Sequence, residues 1–279
     1  MRELNGRIAV VTGAGSGIGR GLALGFAGEG MKVVLADIDE PGMEETRRLI
    51  AAAGGEASVH RTDVRDESAV QALARHTIDT YGAVHLVCNN AGVEWGTVFL
   101  EAPIEGWKWV MDVNFWGTLH GCRVFLPLLA EQEEAHLINV ASSAALNAVM
   151  PTFAPYSVSK FAVLSLSEYL AAELRLQGSK VGMSLLVPGF VKSELPWAQR
   201  HAPADVPDTE TNPLRAAVQK SVRSFMAGAK EPSEVAEQVI QAVREDRFFI
   251  LTHPDEQLDF LRQRLHWMQT NEPPEIPGA

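Results

Sequence analysis

Tyr156 and Lys160 stand four residues apart in Tyr156-Ser-Val-Ser-Lys160, which opens a helical pattern continued by Phe161, Leu164, Leu166 and Leu170. Residues at i and i+4 share a helix face, so the ammonium can lie beside the phenol. An unperturbed tyrosine titrates near pH ~10, too high for a base at neutral pH. A neighbouring cation favours the phenolate and draws that value toward the range of general acid–base catalysis. Alone, the pair reads equally as an interfacial tyrosine and a solvated lysine. Other groups give it company. Asn139-Val-Ala-Ser-Ser143 closes an apolar run, which puts Ser142 and Ser143 at a strand end. A hydroxyl there can polarise a carbonyl or simply satisfy its own turn. Asn89-Asn-Ala-Gly92 ends the preceding apolar run in the same way. Asn114 lies within a helical stretch although Asn is an indifferent helix former, which points to a use for its amide.

A second constellation lies near the start of the chain. Thr12-Gly-Ala-Gly-Ser-Gly-Ile-Gly19 sits between an apolar strand and a helical pattern, the context that a dinucleotide site requires. Glycines let the backbone turn tightly and approach a pyrophosphate, which then meets the donors of a helix N-terminus. Gly13, Gly17 and Gly19 depart from the common G-x-G-x-x-G spacing, and a glycine cluster by itself is only a tight turn. Asp37, ending the next strand, stands where a carboxylate accepts from a ribose 2′-hydroxyl. A 2′-phosphate would meet like charge there, which predicts NAD over NADP.

The elements that must position these groups alternate along the chain. Ile8–Val11, Val33–Ala36, Val84–Cys88, Leu137–Val140 and Met183–Val187 are short apolar runs between longer helical segments. The first helix runs to about Glu29, and Val70, Leu73, Ala74, Thr77, Ile78 and Tyr81 recur at helical spacing. Continuous apolar strands between helices predict an α/β fold with a doubly wound, Rossmann-type parallel sheet covered on both faces. Its carboxyl edge is then the ligand edge. Residues 1–251 form one such domain. The stretch from Val191 to about Ala229 lacks a clear period and reads as a lid over the site. Residues 252–279 form an extension, with Leu258, Leu261, Leu265 and Met268 on one face of a short amphipathic helix, then a Pro-rich tail.

Composition narrows the rest. The 279 residues suffice for a substantial core, and a net charge of −11 argues against a nucleic-acid partner. Cys88 and Cys122 lie in apolar surroundings with no metal-site or disulfide spacing, so no metal is expected. Reduced thiols and the lack of a secretory leader point to the cytoplasm, and no apolar run has membrane-spanning length.

These motifs, in this order, resemble those of the short-chain dehydrogenase/reductase family over roughly Asn5 to Leu251: T-G-x-x-x-G-x-G, D-V, N-N-A-G, a helical Asn, Ser, Y-x-x-x-K and P-G. The resemblance implies that Tyr156 exchanges the hydroxyl proton, while Lys160 lowers its pKa and holds the nicotinamide ribose. Ser143, thirteen residues before the tyrosine, would orient the substrate oxygen, with Ser142 the less favoured neighbour. Asn114 would anchor a water in the proton path. Ser16, Ile18 and Ile38 join the glycine turn and Asp37 in the cofactor set; Asp63 and Val64 would meet adenine, and Asn90 and Gly92 the ribose side. Pro188, Gly189, Val191 and Ser193 would face the nicotinamide, Ser193 standing where the family usually has Thr. The family also implies a homotetramer or homodimer, with the long helices Glu105–Ala130 and Tyr156–Gly178 as contact surfaces.

The reaction implied is hydride transfer between NAD(H) and a secondary alcohol or ketone. Trp95, Val149, Phe153, Phe190, Leu195 and Trp197 are candidate pocket residues and suggest a lipophilic or ring-containing substrate, unless they only pack the lid. Phe248-Phe-Ile-Leu-Thr-His-Pro254 is similar to endings in relatives that act on bulky aryl or polycyclic alcohols. Two alternatives are an NADPH-dependent 3-oxoacyl-thioester reductase and a catalytically inactive dinucleotide-sensing scaffold. The first would favour basic residues near Ser16 or Ile38, and the second a broken Tyr–Lys pair.

Overall fold

Apolar side chains that alternate along each strand can be buried only if both faces of the sheet are covered. That is the arrangement in the computed structural model, which describes residues 1–147, 150–209 and 211–275. The strands are β1 (Ile8–Thr12), β2 (Lys32–Asp37), β3 (Glu56–Arg61), β4 (Leu86–Asn89), β5 (Ala135–Val140), β6 (Val181–Val187) and β7 (Phe249–Leu251). They form one parallel sheet in the order β3-β2-β1-β4-β5-β6-β7. The order reverses between β1 and β4, the switch point at which ligands bind in such sheets.

The helices are α1 (Gly17–Gly28), α2 (Glu40–Ala52), α3 (Glu67–Tyr81), α4 (Ile104–Met111), α5 (Gly117–Ala130), α6 (Ala154–Leu176), α7 (Pro213–Phe225), α8 (Pro232–Glu245) and α9 (Pro254–Thr270). On one face, Leu22 and Phe26 of α1, Met43 and Ile50 of α2, and Val235 and Val239 of α8 pack on Val11, Val33, Leu35 and Ile138. On the other, Leu73 of α3, Phe125 and Leu129 of α5, and Leu170 and Leu174 of α6 pack on Val10, Val34, Val87 and Leu137. Neighbouring residues of one strand thus serve opposite cores, which is why the strands read as unbroken apolar runs.

Three elements depart from the sequence expectation. The edge strand β3 carries Glu56, Ser58, His60 and Arg61, and its half-exposed polar side chains hide it from a search for apolar runs. The segment 191–229 contains a regular helix, α7, whose N-terminus is capped by Asn212 accepting from Leu214 and Arg215 amides. In α9, the stripe of Leu258, Leu261, Leu265 and Met268 faces solvent rather than the core. The docked side carries Gln257, Phe260 and Arg264, the last with its guanidinium 4.8 Å from the Phe161 ring.

Polar groups cross the core between β4, β5 and the helices. Asn89 Nδ2 donates to Asn139 Oδ1 at 2.9 Å, and Asn139 Nδ2 donates to Ser167 Oγ at 3.0 Å. Gly121 of α5 lies against this ladder, and a Cβ there would sit 2.0 Å from Asn89 Oδ1. Gly121→Ala must therefore displace a hydrogen-bonded buried amide. Overpacking of this kind costs about 1–3 kcal/mol, which chemical unfolding should register as a lowered midpoint.

Candidate active site

The carboxyl edge of the sheet opens into a cleft of about 470 Å³ that runs from the glycine turn after β1 to the start of α6. Glycine is required twice in that turn. Gly13 has φ +67°, and a Cβ on Gly19 would lie 2.0 Å from the Gly13 carbonyl oxygen. Asp39 and Asp66 cap α2 and α3 with their carboxylates, whereas Ser16 makes no side-chain cap to α1. The first amides of α1 thus remain available to an anion, and the residues present fit a phosphate-bearing cofactor.

Asn90 holds the turn against β4, its Nδ2 donating to Thr12 O at 2.8 Å. Thr12, which the motifs did not single out, accepts from the Asn90 and Ala91 amides, both at 3.0 Å. Asp37 reaches back to the turn: Oδ2 accepts from Gly15 N at 2.8 Å, and Oδ1 from the Ile38 and Asp39 amides at 2.7 and 3.1 Å. Ser16, Gly17, Ile18, Ile38, Asp63, Val64 and Gly92 all line the cleft, as do Pro188, Gly189, Val191 and Ser193 on its opposite wall. Burial raises the pKa of Asp63, but hydrogen bonds from Arg65 outweigh it and leave the carboxyl below its ordinary value.

At the other end of the cleft, Tyr156 meets Phe153 edge-to-face with ring centroids 6.2 Å apart. Val222 of α7, with Phe190 and Leu195, closes an apolar cage over both rings. Lys160 Nζ is 5.8 Å from the Tyr156 ring centre and donates to Val140 O at 3.0 Å. Burial governs both groups. It pushes the Tyr156 phenol up to about 12, against a smaller lowering by the Ser142 hydroxyl, with the Glu94 charge adding to the rise. Burial also lowers the Lys160 ammonium to about 8. The expected lowering of the tyrosine by the lysine is therefore absent here, because desolvation of the phenolate is the larger effect.

The two serines are placed differently. Ser142 caps the short turn Ser143–Ala145, accepting from Ala144 N at 3.2 Å, and its hydroxyl is the group that lowers the Tyr156 phenol. Ser143 points elsewhere: its Oγ donates to Pro188 O at 3.0 Å and accepts from Gln257 Nε2 at 3.0 Å. Asn114 does lie in an unusual segment, the π-helical turn Asp112–Trp116 between α4 and α5. Its amide is fully buried behind the cleft and staples the β4 loop: Oδ1 accepts from Val93 N at 2.8 Å, while Nδ2 donates to Val93 O at 3.0 Å and Ser159 Oγ at 2.9 Å.

Of the substrate candidates, Phe153, Phe190 and Leu195 line the cleft. Trp95 does not. It is 1% exposed, packs on Gly106 and donates from Nε1 to Pro207 O at 3.1 Å, so it is a core residue. Trp197 turns outward with the Arg223 guanidinium 5.3 Å from its ring centre. Val149 lies outside the described residues. Missing from the sequence reading is the contact that fastens α7: Arg215 Nη2 donates to both carboxylate oxygens of Glu94, at 2.7 and 2.8 Å, and Gln219 Nε2 donates to Glu94 Oε2 at 2.7 Å. Nothing in the spacing of positions 94, 215 and 219 announces that contact.

The geometry agrees with what known proteins resemble the chain. Residues 7–204 match the short chain dehydrogenase family. The chain belongs to the short-chain dehydrogenase/reductase family. A short-chain dehydrogenase/reductase from Burkholderia phymatum, solved in complex with NAD, is 41% identical, covers 100% of both chains and superposes with a TM-score of 0.94. The 1-deoxy-11-beta-hydroxypentalenate dehydrogenase of Streptomyces exfoliatus is 34% identical over 99% of this chain and 94% of its own length. The CLA biosynthesis dehydrogenase/reductase of Lactiplantibacillus plantarum is 30% identical over 91% of each. The Burkholderia phymatum structure shares the fold seen here.

Lys160 sets a stability prediction. Its folded pKa of about 8 lies below the ordinary 10.5, so the unfolded chain binds this proton more tightly. The resulting cost to folding is fully present below pH 8 and fades as pH rises from 8 to 10.5. Lys160→Met removes this cost but leaves Val140 O without its donor, a loss that does not depend on pH. The Tm of the ligand-free variant relative to wild type should therefore fall as unfolding is moved from pH 7 to above pH 8.

Proposed function

We propose that the chain interconverts a secondary alcohol and a ketone with NAD(H), acting on a lipophilic, ring-bearing substrate. The observation that carries this reading is the continuity of one cleft, with the glycine turn and Asp37 at one end and Ser142, Tyr156 and Lys160 at the other. NAD held there supplies the hydride acceptor for alcohol oxidation. Tyr156 takes the hydroxyl proton as the carbon–oxygen bond gains double-bond character, and returns it in ketone reduction. Ser142 donates to the substrate oxygen. Lys160 sits behind the phenol, where its charge favours the ionised form once the cleft is filled. The cage of Phe153, Phe190, Leu195 and Val222 excludes water from this exchange and favours an apolar ring over a sugar or free acid. A relative named for dehydrogenation of a hydroxypentalenate and a neighbour solved with NAD support the same reading. The fitting context is a cytoplasmic homodimer or homotetramer.

A panel of cyclic and acyclic secondary alcohols, followed at the nicotinamide absorbance with NAD and NADP, tests the proposal directly. Tyr156→Phe should lower kcat by at least about a hundredfold while NAD binding persists. Ser142→Ala should lower kcat by about a hundredfold, more than Ser143→Ala does. Near-normal turnover in the tyrosine variant would overturn the mechanism.

Cofactor choice rests on Asp37. Replacing Asp37→Ser together with Ile38→Arg removes the like charge and adds a cation. The ratio of kcat/KM for NADP over that for NAD should then rise at least about tenfold. An unchanged ratio means that Asp37 does not read the ribose.

A further inference from the structure

The turn Val187-Pro188-Gly189 leaves β6 where the sheet ladder ends: β5 pairs no further than Leu186 and β7 no further than Val187. Its backbone groups must find partners elsewhere, and they find them in two places. Ser143 supplies one side, donating from both its backbone N and its Oγ to Pro188 O, at 2.8 and 3.0 Å. The segment 252–257 supplies the other. Thr252 Oγ1 accepts from Gly189 N at 2.8 Å, and Gln257 Nε2 donates to Val187 O at 2.7 Å. The same Gln257 nitrogen donates to Ser143 Oγ at 3.0 Å, while its Oε1 accepts from His253 N at 3.0 Å. One side chain therefore joins the serine turn after β5 to the turn after β6.

The surroundings of Gln257 make simple packing a poor account of it. It is 0% exposed, and it is the one buried residue of the 17 in α9. The leucines of the same helix, which packing alone would bury, face solvent. Burying a rotamer-rich amide is costly unless its donors and acceptor are satisfied in a defined geometry, as they are here. Glu256 and Phe260, on either side of it, line the cleft.

We propose that Gln257 is a positioning residue of the active site. Through Ser143 and the Val187–Gly189 turn it fixes the distance between the Ser142–Tyr156 pair and the wall of the cleft, so that the first turn of α9 belongs to the catalytic apparatus. The proposal rests on the reading of the cleft as an NAD-dependent alcohol dehydrogenase site. It accounts for a helix past β7 whose buried residue is a glutamine rather than one of its leucines.

Gln257→Leu keeps the volume and removes both donated hydrogen bonds. In the folded variant kcat should fall by about tenfold, the scale of a sub-ångström misplacement, while the NAD dissociation constant from calorimetric titration holds. Ser143→Ala should give a similar loss, and in the double variant the two losses should not multiply, because both act through one link. Amide hydrogen exchange gives a readout independent of turnover: the Ser143 and Gly189 amides should exchange faster in Gln257→Leu. Wild-type kcat in the folded variant, or unchanged protection of both amides, would overturn the proposal. Should Gln257→Leu fail to fold, Ser143→Ala carries the same measurements. A wild-type protein inactive on every alcohol with NAD would sink the functional reading, while amide exchange would still decide the positioning role.

Discussion

Where parallel strands stop, their last carbonyls and amides lose their ladder partners, yet a cleft built there cannot leave them to water. Much of the site answers that constraint. Thr12 and Asn90 close the gap between β1 and β4, and Lys160 takes the last carbonyl of β5. Asn114 occupies both backbone groups of Val93, and Ser143, Thr252 and Gln257 take those of the turn after β6. Buried backbone groups left unpaired are costly, so each of these side chains has a structural task before it has a chemical one. The catalytic groups are therefore placed by the same bonds that terminate the sheet.

Burial supplies the second layer of control. Burial beneath the apolar cage raises the phenol and lowers the ammonium, so in the ligand-free protein both groups lean toward their neutral forms. A protonated phenol suits ketone reduction, and alcohol oxidation needs its ionised form, which opposes the desolvation. The site thus holds a strained electrostatic state that fold stability elsewhere must sustain. The buried Glu94–Arg215 pair belongs to the same economy. It fixes α7 over the cage, and its own desolvation makes it a better determinant of position than of stability.

The sheet, the glycine turn and the Tyr156–Lys160 pair were legible in the sequence because each is a local pattern: a period, a spacing or a glycine with a steric reason. Legibility failed where the third dimension decides. Counting back thirteen residues from Tyr156 selects Ser143, whereas counting forward from the end of β5 reaches Ser142 first, so spacing alone does not choose between them. Trp95 looks like a pocket aromatic in sequence and is a core residue, because Gly106 leaves room for its ring. Strand β3 hid behind polar side chains at the sheet edge, and α7 behind an irregular apolar pattern. The Glu94–Arg215 contact spans 121 positions, a separation over which no local rule operates. The apolar stripe of α9 is legible as one helix face, but which face docks is not: the stripe meets solvent and the docked face is marked by a glutamine.

The π-helical turn at 112–116 has a consequence for how this site can change over time. A π turn holds one residue more than an α turn, so it amounts to an insertion lodged inside a continuous helix. Losing that residue would restore regular geometry within 112–116 and shift the side chains that the bulge now presents. Asn114 would then swing away from Val93, and the loop that follows β4 would lose its staple. Length is therefore frozen here, although sequence need not be. A substitution that keeps the residue count leaves the staple in place, whereas a deletion removes it.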